Sequence, residues 1–351
     1  MTLAALGLLW LVFLSAFGLT KLLCSPASRL ALLDHPNPRS LHTEPIPRTG
    51  GLAIFGSVIL GLVLSLVLEW PGGQATGTGL WILGMTLIVV GVSFWDDRVG
   101  VSTILRLGVH ALAAVGVVWG AGLTMTTVPI PFLGALSLGW IAVPVTVVCL
   151  VWMTNLYNFM DGMDGFAGGM TVVGYSFLGY LALKSGNQLI AFLCFLIAAA
   201  SGGFLYYNLP TARIFMGDLG SVSLGFLAGA FALWGIQERL FDFWVPVLIF
   251  SPFIVDATVT LFRRLLQGEK VWQAHRKHYY QQLVLAGWGH RKTVWAEYVL
   301  MMACGMAAVM YGQVGEFWRL TILLGWMVTY IVLTWGVSWV ERQGRGLRAE
   351  A

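Results

Sequence analysis

The feature that most constrains this chain is a series of long apolar stretches, each of about 20 residues, separated by polar loops. A stretch of this length and composition crosses the hydrocarbon core of a bilayer as an α-helix. Since 58% of the 351 residues are hydrophobic and only 10% are charged, the apolar surface exceeds what a soluble fold of this length could bury. The sequence therefore predicts an all-α polytopic membrane protein with about 11 transmembrane helices, at 3–23, 51–69, 79–95, 102–120, 138–156, 166–183, 188–206, 219–237, 243–262, 294–312 and 317–340.

These stretches follow one another without a second kind of segment, so residues 1–351 are interpreted as one integral-membrane domain. No polar–apolar alternation is long enough to suggest a β-barrel. The first stretch has no basic segment before it and no evident small-residue cleavage site, so we expect a retained membrane helix and not a signal peptide. The four cysteines have neither disulfide nor metal-ligand spacing and are predicted to be core residues.

The distribution of basic residues predicts the orientation of the chain. If the loop 24–50 faces the cytoplasm, alternate loops do so as well, and of the 20 Lys and Arg residues only Lys184, Arg239 and Arg319 fall on the other side. Such an excess of basic residues is typical of cytoplasmic loops. We therefore predict that the N-terminus lies outside and the C-terminus inside.

Polar residues of an unusual kind collect on the predicted inner side. Asn155, Asn158 and Asp161, in the stretch NLYNFMDGMDGFAGG, recur every three residues and so share one helical face, and Asp164 follows if the helix continues. Carboxylates at membrane depth are costly and are usually functional. Mg²⁺ binds one or two protein oxygens together with substrate phosphate oxygens, so a phosphate-bearing substrate would explain ligands spread over several loops. The alternative is that these small polar residues join helices.

Further acids lie at the inner ends of other predicted helices. The adjacent Asp96 and Asp97 repel each other unless a cation lies nearby, and either a metal ion or Arg98 would supply it. Asp218 stands in a glycine-flanked turn before a helix, which favours a metal ligand, and Asp256 lies near the inner end of the ninth stretch. The active site is predicted to form from the inner loops 24–50, 96–101, 157–165, 207–218 and 263–293.

The last of these loops carries His275 and His278 in the sequence HRKH, three residues apart and so predicted to share a helical face. They lack the i, i+4 spacing and the glutamate of a zinc-binding helix. With the two basic residues between them, they are better suited to a pyrophosphate. For His290 a surface position is an equally good explanation. The first loop adds candidate anion contacts at Arg39, His42 and Arg48.

In this order the motifs resemble those of the polyprenyl-phosphate N-acetylhexosamine-1-phosphate transferases, which include undecaprenyl-phosphate GlcNAc-1-phosphate transferases and the phospho-N-acetylmuramoyl-pentapeptide transferase. The first loop is similar to that of bacterial members that start O-antigen or related surface polysaccharides. The basic residues inside HRKH, and the lack of a lysine three positions after the aspartate pair, argue against a peptidoglycan precursor as substrate. The resemblance rests on DD at 96–97, NLYNFMDGMDGFAGG at 155–169, FMGDLGS at 215–221 and HRKH at 275–278.

The resemblance implies a role for each matching residue. Asp218 resembles the ligand of Mg²⁺, with Asn158 as a second ligand and Mn²⁺ as an alternative ion. The pair 96–97 resembles the carboxylates that handle the lipid phosphate, one of them as a base. Asp164 resembles the residue that reads the uracil edge, and Phe215 the aromatic residue that stacks on it. On this assignment the catalytic residues are Asp96, Asp97, Asp161, His275 and His278, the substrate-binding residues are Asp164, Phe215, Arg276, Arg48 and Asn155, and the metal ligands are Asp218 and Asn158.

The implied reaction transfers N-acetylhexosamine-1-phosphate from a UDP-sugar to undecaprenyl phosphate and releases UMP, at the cytoplasmic face of a bacterial inner membrane. The sequence leaves open the sugar, the polysaccharide pathway, and whether attack is direct or passes through a covalent aspartyl intermediate. No nucleic-acid partner is expected, and a homodimer is compatible with the sequence. Two alternatives are an ion-coupled transporter, whose acids would lie near the midplane, and an intramembrane aspartyl protease, which needs a second membrane aspartate preceded by tyrosine.

Overall fold

The computed structural model describes residues 2–25, 28, 32–36, 44–68, 76–271, 273 and 275–349, without the side chains that follow Glu341. Arg39 and His42, candidate anion contacts of the first loop, lie outside the described residues. The helices are α1 (Leu3–Leu23), α2 (Gly50–Val67), α3 (Gly77–Val99), α4 (Thr103–Gly120), α5 (Ala142–Phe159), α6 (Phe166–Lys184), α7 (Gln188–Asn208), α8 (Gly217–Gln237), α9 (Trp244–Ile249), α10 (Ser251–Leu266), α11 (Tyr279–Leu283), α12 (Gly289–Tyr311) and α13 (Glu316–Ala349). Strands β1 (Leu33–Asp34) and β2 (Ile46–Pro47) pair antiparallel, as do β3 (Thr127–Ile130) and β4 (Gly134–Ser137).

In the described part of the chain, 10 helices are long and apolar enough to cross a membrane. This confirms the predicted all-α polytopic membrane protein. The ninth predicted stretch, 243–262, differs from the others because it is divided between the short helices α9 and α10. Pro252, in the first turn of α10, accounts for the break, since proline has no N–H to donate and disfavours helical geometry in the residue before it.

The broken pair α9–α10 nevertheless connects the two ends of the bundle. At one end, the indole N–H of Trp244 donates to the carbonyl oxygen of Pro129, in the β3–β4 hairpin that follows α4, at 2.5 Å. At the other end, Asp256 accepts the backbone N–H groups of Tyr279 and Tyr280 at 3.0 and 3.1 Å. The pair therefore supplies one more passage between the ends, in addition to the long helices, as the hydropathy pattern predicts.

Helix α8 forms the centre of the bundle, with 89% of its most apolar window buried, more than in any other long apolar helix of the described residues. Glycine lets α5 approach it closely: a Cβ on Gly225 would lie 2.5 Å from Cβ of Tyr157 and 2.6 Å from the carbonyl oxygen of Met153. On another side, a Cβ on Gly51 of α2 would lie 2.5 Å from the nitrogen of Gly220. These close contacts place the first turn of α8 beside the end of α5 and the start of α2.

Replacing Gly225 by alanine should lower the free energy of unfolding by about 1–3 kcal/mol, because the added methyl group must push α5 away from α8. Thermal unfolding of detergent-purified protein would measure the change. Gly84→Ala in α3 is the matched control, since a Cβ at Gly84 meets no atom within 4 Å. If both variants unfold at the parent temperature, α5 and α8 do not make the close contact described here.

Candidate active site

The start of α8 is fixed by the segment that leads into α2. The N–H of Phe215 donates to the carbonyl oxygen of Pro47 at 2.7 Å, and the N–H of Gly50 donates to the carbonyl oxygen of Phe215 at 2.9 Å. Gly217 has φ of +75°, and a Cβ there would overlap the carbonyl oxygen of Arg48. Glycine at 217 therefore permits both the left-handed backbone and the close approach of the two segments.

Asp97 binds the first turn of α8. Its carboxylate accepts the N–H groups of Asp218 at 3.2 Å and Leu219 at 2.9 Å. N–H groups in the first turn of a helix have no partner within the helix and favour a negative charge. Arg48 adds a cation: it donates to the Asp97 carbonyl oxygen at 2.5 Å, and its Nε lies 3.9 Å from the carboxylate. With only 4% of its side chain exposed, Asp97 is placed to position Asp218.

Arg106, in the first turns of α4, joins two further carboxylates. Its Nη1 lies 2.6 Å from a carboxylate oxygen of Asp96 and 3.0 Å from one of Asp218. Arg98, the residue considered from the sequence as the neutralising cation, instead lies over the ring of Phe94, 4.4 Å from its centroid. The cations beside the aspartate pair are therefore Arg48 at Asp97 and Arg106 at Asp96, and the sequence motifs did not single out Arg106.

Asn158 brings the end of α5 to the same point. Its side-chain nitrogen donates to the carboxylate of Asp218 at 2.9 Å and to the hydroxyl oxygen of Ser221 at 3.0 Å. Because both partners bind the nitrogen, the amide oxygen of Asn158 is left to serve as a metal ligand. Ser221 was not identified from the sequence as a member of the site.

The helical face predicted for this stretch is only partly formed. Helix α5 ends at Phe159, so the face holds Asn155 and Asn158, and the prediction that Asp161 shares it is wrong; Asp164 does not continue it either. Gly165, with φ of +74°, belongs to the loop that turns the chain into α6. The side-chain nitrogen of Asn155 donates to the carbonyl oxygen of Val151 at 2.7 Å, one turn earlier in α5, so Asn155 lies further into the bundle than Asn158.

Asp161 lies in the loop directly after α5. Burial, together with the negative charges of Asp218 and Asp97, raises the pKa of Asp161 well above its usual range. The described residues provide no ion pair for this carboxylate. Its charged form therefore favours a positive charge beyond those that the described residues supply at this point.

We call Asp96, Asp97, Asp161 and Asp218 the aspartate cluster. Among the described residues, two guanidinium groups contact the cluster, through Asp96, Asp97 and Asp218, so within this part of the chain the four carboxylates leave a surplus of negative charge that fits a divalent cation. Carboxylate and amide oxygens are the ligands that Mg²⁺ prefers. Within the described residues, no group of 3 or more His, Cys, Asp or Glu side chains is arranged to hold a metal ion alone. A Mg²⁺ ion here would need phosphate oxygens of a substrate to complete its coordination.

Asp164 joins three segments away from these contacts. One carboxylate oxygen accepts the N–H of Ala212 at 3.1 Å, and the other lies 3.1 Å from Nδ1 of His290. Only 8% of the Asp164 side chain is exposed, so a uracil base would have to displace one of these partners. The predicted role of Asp164 in reading the base is therefore one of two alternatives, the other being to hold these three segments together. His290 is a partner of Asp164 and not a free surface residue.

If the contact between Asp164 and His290 holds their segments together, Asp164→Asn and His290→Gln should each lower the free energy of unfolding by about 1–3 kcal/mol. The double variant should be little worse than either single variant, because both changes remove the same interaction. Thermal unfolding and the KM for the UDP-sugar would be measured on all three proteins. A raised KM in Asp164→Asn alone, with His290→Gln like the parent, would instead favour base reading.

His278 lies immediately before α11, with its Nδ1 3.1 Å from the carboxylate of Asp256. The rings of His275 and His278 lie 4.7 Å apart, but residues 275–278 are not helical. The expected common helical face is therefore wrong. Asp256 accepts the first N–H groups of α11 and so fixes the helix start at Tyr279, and an irregular turn before it brings the rings together.

The histidine pair adjoins the aspartate cluster through the end of α5. The ring of His278 stacks on Phe159 at 6.3 Å between centroids, and the hydroxyl of Tyr280 donates to the carbonyl oxygen of Phe159 at 3.1 Å. Burial, followed by the charge of His278, lowers the pKa of His275 to about 4. Without a ligand the ring of His275 is therefore neutral near pH 7, and it can donate a hydrogen bond to a diphosphate.

Arg264, at the end of α10, holds the loop that carries these histidines. It lies 2.9 Å from the carboxylate of Glu269 and donates to three loop carbonyl groups. Lys277 also pairs with Glu269, so its charge is engaged within the loop. Arg276 is half-buried in the same loop. The backbone of Phe215 is fixed by its hydrogen bonds with Pro47 and Gly50. The binding of diphosphate by Arg276 and the stacking of a base on Phe215 stay predictions.

Comparison with known proteins adds a further observation. A family model described as glycosyl transferase family 4 matches residues 80–236. A protein of Bacillus subtilis named "Probable undecaprenyl-phosphate N-acetylglucosaminyl 1-phosphate transferase" is 33% identical over 299 residues, which cover 83% of this chain and 82% of the relative. A Yersinia pestis undecaprenyl-phosphate alpha-N-acetylglucosaminyl 1-phosphate transferase is 27% identical, with 92% and 87% covered. A phospho-N-acetylmuramoyl-pentapeptide-transferase of a Synechococcus species is 29% identical, with 77% and 91% covered.

Proposed function

We propose that this chain, which belongs to glycosyl transferase family 4 and there to the polyprenyl-phosphate hexosamine-1-phosphate transferases, transfers N-acetylhexosamine-1-phosphate from a UDP-sugar to undecaprenyl phosphate. The products are UMP and an undecaprenyl-diphosphosugar, with which synthesis of a surface polysaccharide such as O-antigen would begin. The observation that carries the proposal is the aspartate cluster at the ends of α3, α5 and α8, joined by the hydrogen bond from Asn158 to Asp218.

The position of the cluster supports this chemistry over transport. A nucleotide from water and a lipid phosphate at the membrane surface can both reach the ends of helices, whereas an ion-coupled transporter would hold its acids near the midplane. The names of the two GlcNAc-1-phosphate transferase relatives make UDP-N-acetylglucosamine the first donor to test. A difference of one hydroxyl or methyl group in the sugar is worth only about 1–3 kcal/mol in a pocket, so related donors belong in the same test.

In the proposed reaction, an oxygen of the lipid phosphate forms a bond to the phosphorus that carries the sugar, and the bond from that phosphorus to UMP breaks. The lipid phosphate is largely ionised at neutral pH, since its second pKa is about 6, so it needs orientation more than a strong base. Asp97 is occupied by N–H groups of α8 and Asp96 by Arg106. We therefore assign to Asp97 and Asp96 the positioning of Asp218 and Arg106. We assign to Asp161 the catalytic role, in which it receives the last proton or orients the attacking oxygen.

Both reactants are anions, so positive charge at the meeting point is the main requirement. The carboxylate of Asp218 and the amide oxygen of Asn158 would hold Mg²⁺ or Mn²⁺, which would neutralise charge on the diphosphate as UMP leaves. Arg106 contributes a fixed positive charge beside Asp218. His275 would donate a hydrogen bond to a diphosphate oxygen from its neutral ring.

The experiment that tests the proposal uses purified protein with undecaprenyl phosphate, Mg²⁺ and a panel of UDP-N-acetylhexosamines, one at a time. The proposal expects an undecaprenyl-diphosphosugar, identified by mass, together with UMP in equal amount. An undecaprenyl-monophosphosugar together with UDP would mean that the sugar alone is transferred, and the proposed reaction would be wrong.

We further propose that the aspartate cluster faces the cytoplasm of a bacterium, in the inner membrane, because UDP-sugars are made there and the basic loops lie at this end. In a protein without its native cysteines, Gln267→Cys should react with an impermeant maleimide only after the cells are opened. Ala135→Cys, in the β3–β4 hairpin at the other end, is the matched control and should react on intact cells. The reverse pattern would overturn the orientation.

A further inference from the structure

A cavity lined by charged residues lies at the end of the bundle that is opposite to the aspartate cluster. Helix α8 begins at the cluster and runs for 21 residues, which corresponds to about 30 Å. Its far end meets the end of α6, the end of α12 and the start of α13 around a cavity of about 610 Å³. No step of the transfer reaction uses this end of the protein.

Three cations line this opposite-end cavity: Lys184 from the last turn of α6, Arg239 from the residues after α8, and Arg319 from the first turn of α13. They are all of the basic residues that the loop pattern places on this side of the membrane. Like charges repel, so three cations from separate segments that line one cavity favour an anion between them. Their convergence indicates an anion site.

Two of the cations also have unusual local structure. Arg239 lies just after α8 and has φ of +57°, at a helix end where glycine is the usual residue. The N–H of Arg239 donates to the carbonyl oxygen of Ile236, and the N–H of Leu240 donates to the carbonyl oxygen of Gly235. The Nε of Arg319 is buried and has no hydrogen-bond acceptor among the described residues. An unpaired buried donor is costly, and an anionic ligand would supply the missing acceptor.

The acidic residues nearby offset only part of this positive charge, because Asp242 interacts electrostatically with Arg319. Asp242 is the acid among the described lining residues, and it accepts the N–H of Trp244 at 2.9 Å and a hydrogen bond from Tyr311. Glu238, which ends α8, is exposed and does not line the cavity. One carboxylate against three cations leaves the cavity with a surplus of positive charge.

Apolar side chains form the walls between the cations, among them Leu181, Ile236, Phe241 and Val309. Cations combined with apolar walls, at the end of membrane-spanning helices, suit an amphiphile that carries a phosphate group and hydrocarbon tails. We propose that this cavity binds the phosphate headgroup of an anionic lipid in the leaflet opposite to the active site. Arg239 and Arg319 bind the phosphate oxygens, and Lys184 adds a point charge.

The test measures binding of soluble dihexanoyl phosphatidylglycerol to purified protein by thermal stabilisation. Arg239→Gln/Arg319→Gln should bind this lipid at least about tenfold more weakly than the parent, because each change removes a charge-assisted hydrogen bond. Lys21→Gln, which removes an exposed charge at the end of α1, is the matched control and should bind like the parent. Arg239→Lys/Arg319→Lys keeps both charges and should recover part of the binding. This recovery distinguishes loss of the anion contacts from misfolding of the glutamine double variant.

Two further ligands complete the test. Dihexanoyl phosphatidylcholine should bind at least about tenfold more weakly than phosphatidylglycerol, since its headgroup has no net charge to pair with the cations. If inorganic phosphate binds as tightly as the lipid, and if its binding is lost in the same double variant, the anion site stands but its ligand is free phosphate. Equal binding of phosphatidylglycerol by the parent and the folded double variant, or equal binding of the two lipids by the parent, would overturn the proposal.

Discussion

Replacing Asp218 by asparagine should lower the transfer rate by about a hundred- to a thousandfold while the protein still inserts and folds. Asparagine keeps an oxygen that can accept the hydrogen bond of Asn158, but it removes the charge that pairs with Arg106 and would hold a divalent cation. The measurement is the initial rate at saturating lipid phosphate and UDP-sugar, taken across a Mg²⁺ titration.

Ser221→Ala is the matched control for this variant. It removes the second acceptor of Asn158 without changing any charge, and it should lower the rate by less than about tenfold. If Asp218→Asn keeps both the parental rate and the parental dependence on Mg²⁺, the assignment of Asp218 as a metal ligand is wrong.

Replacing Arg106 by glutamine should produce the second largest effect, a loss of about a hundredfold in rate. The arginine bridges Asp96 and Asp218, and without it these carboxylates repel each other beside Asp97. We therefore also expect a loss of about 1–3 kcal/mol in stability in the presence of a chelator, which added Mg²⁺ should largely restore. Thermal unfolding with chelator and with Mg²⁺ measures this difference.

Arg98→Gln is the control for Arg106→Gln, because Arg98 lies over Phe94 and forms no ion pair with a carboxylate in the described part of the chain. It should keep the parental rate within about twofold, as surface charges usually contribute little. If Arg106→Gln and Arg98→Gln have the same rate and unfold at the same temperature in chelator, the bridge across the carboxylates contributes nothing.

The architecture follows from the sequence because a bilayer accepts few alternatives to apolar helices. Hydropathy places most ends of the long helices within about five residues, since length and composition alone decide whether a segment can span, although α13 continues past the predicted end at 340 to Ala349. It does not detect the break at Pro252, because a window average is insensitive to one residue without an N–H. The repeat of three from Asn155 to Asp164 suggests a longer α5 than the helix that ends at Phe159, because the repeat continues past Gly162 although the backbone has left the helix.

The components of the site are predictable from the sequence, but their partners are not. Loop alternation places Asp96, Asp97, Asn158 and Asp218 at one end of the bundle, and the structure brings them into contact. The pairings depend on tertiary packing that no spacing encodes. They are the contacts of Arg106 with Asp96 and Asp218, of His290 with Asp164, and of Asp256 with His278.

The central claim, transfer of a sugar together with its phosphate, is tested most directly by the fate of one atom. Purified protein would be given undecaprenyl phosphate and a UDP-N-acetylhexosamine whose sugar-linked phosphate carries radioactive phosphorus. The account predicts that the label moves into the lipid product and that the released UMP is unlabelled. Label that stays in the aqueous phase as UDP, while the sugar enters the lipid, would contradict it.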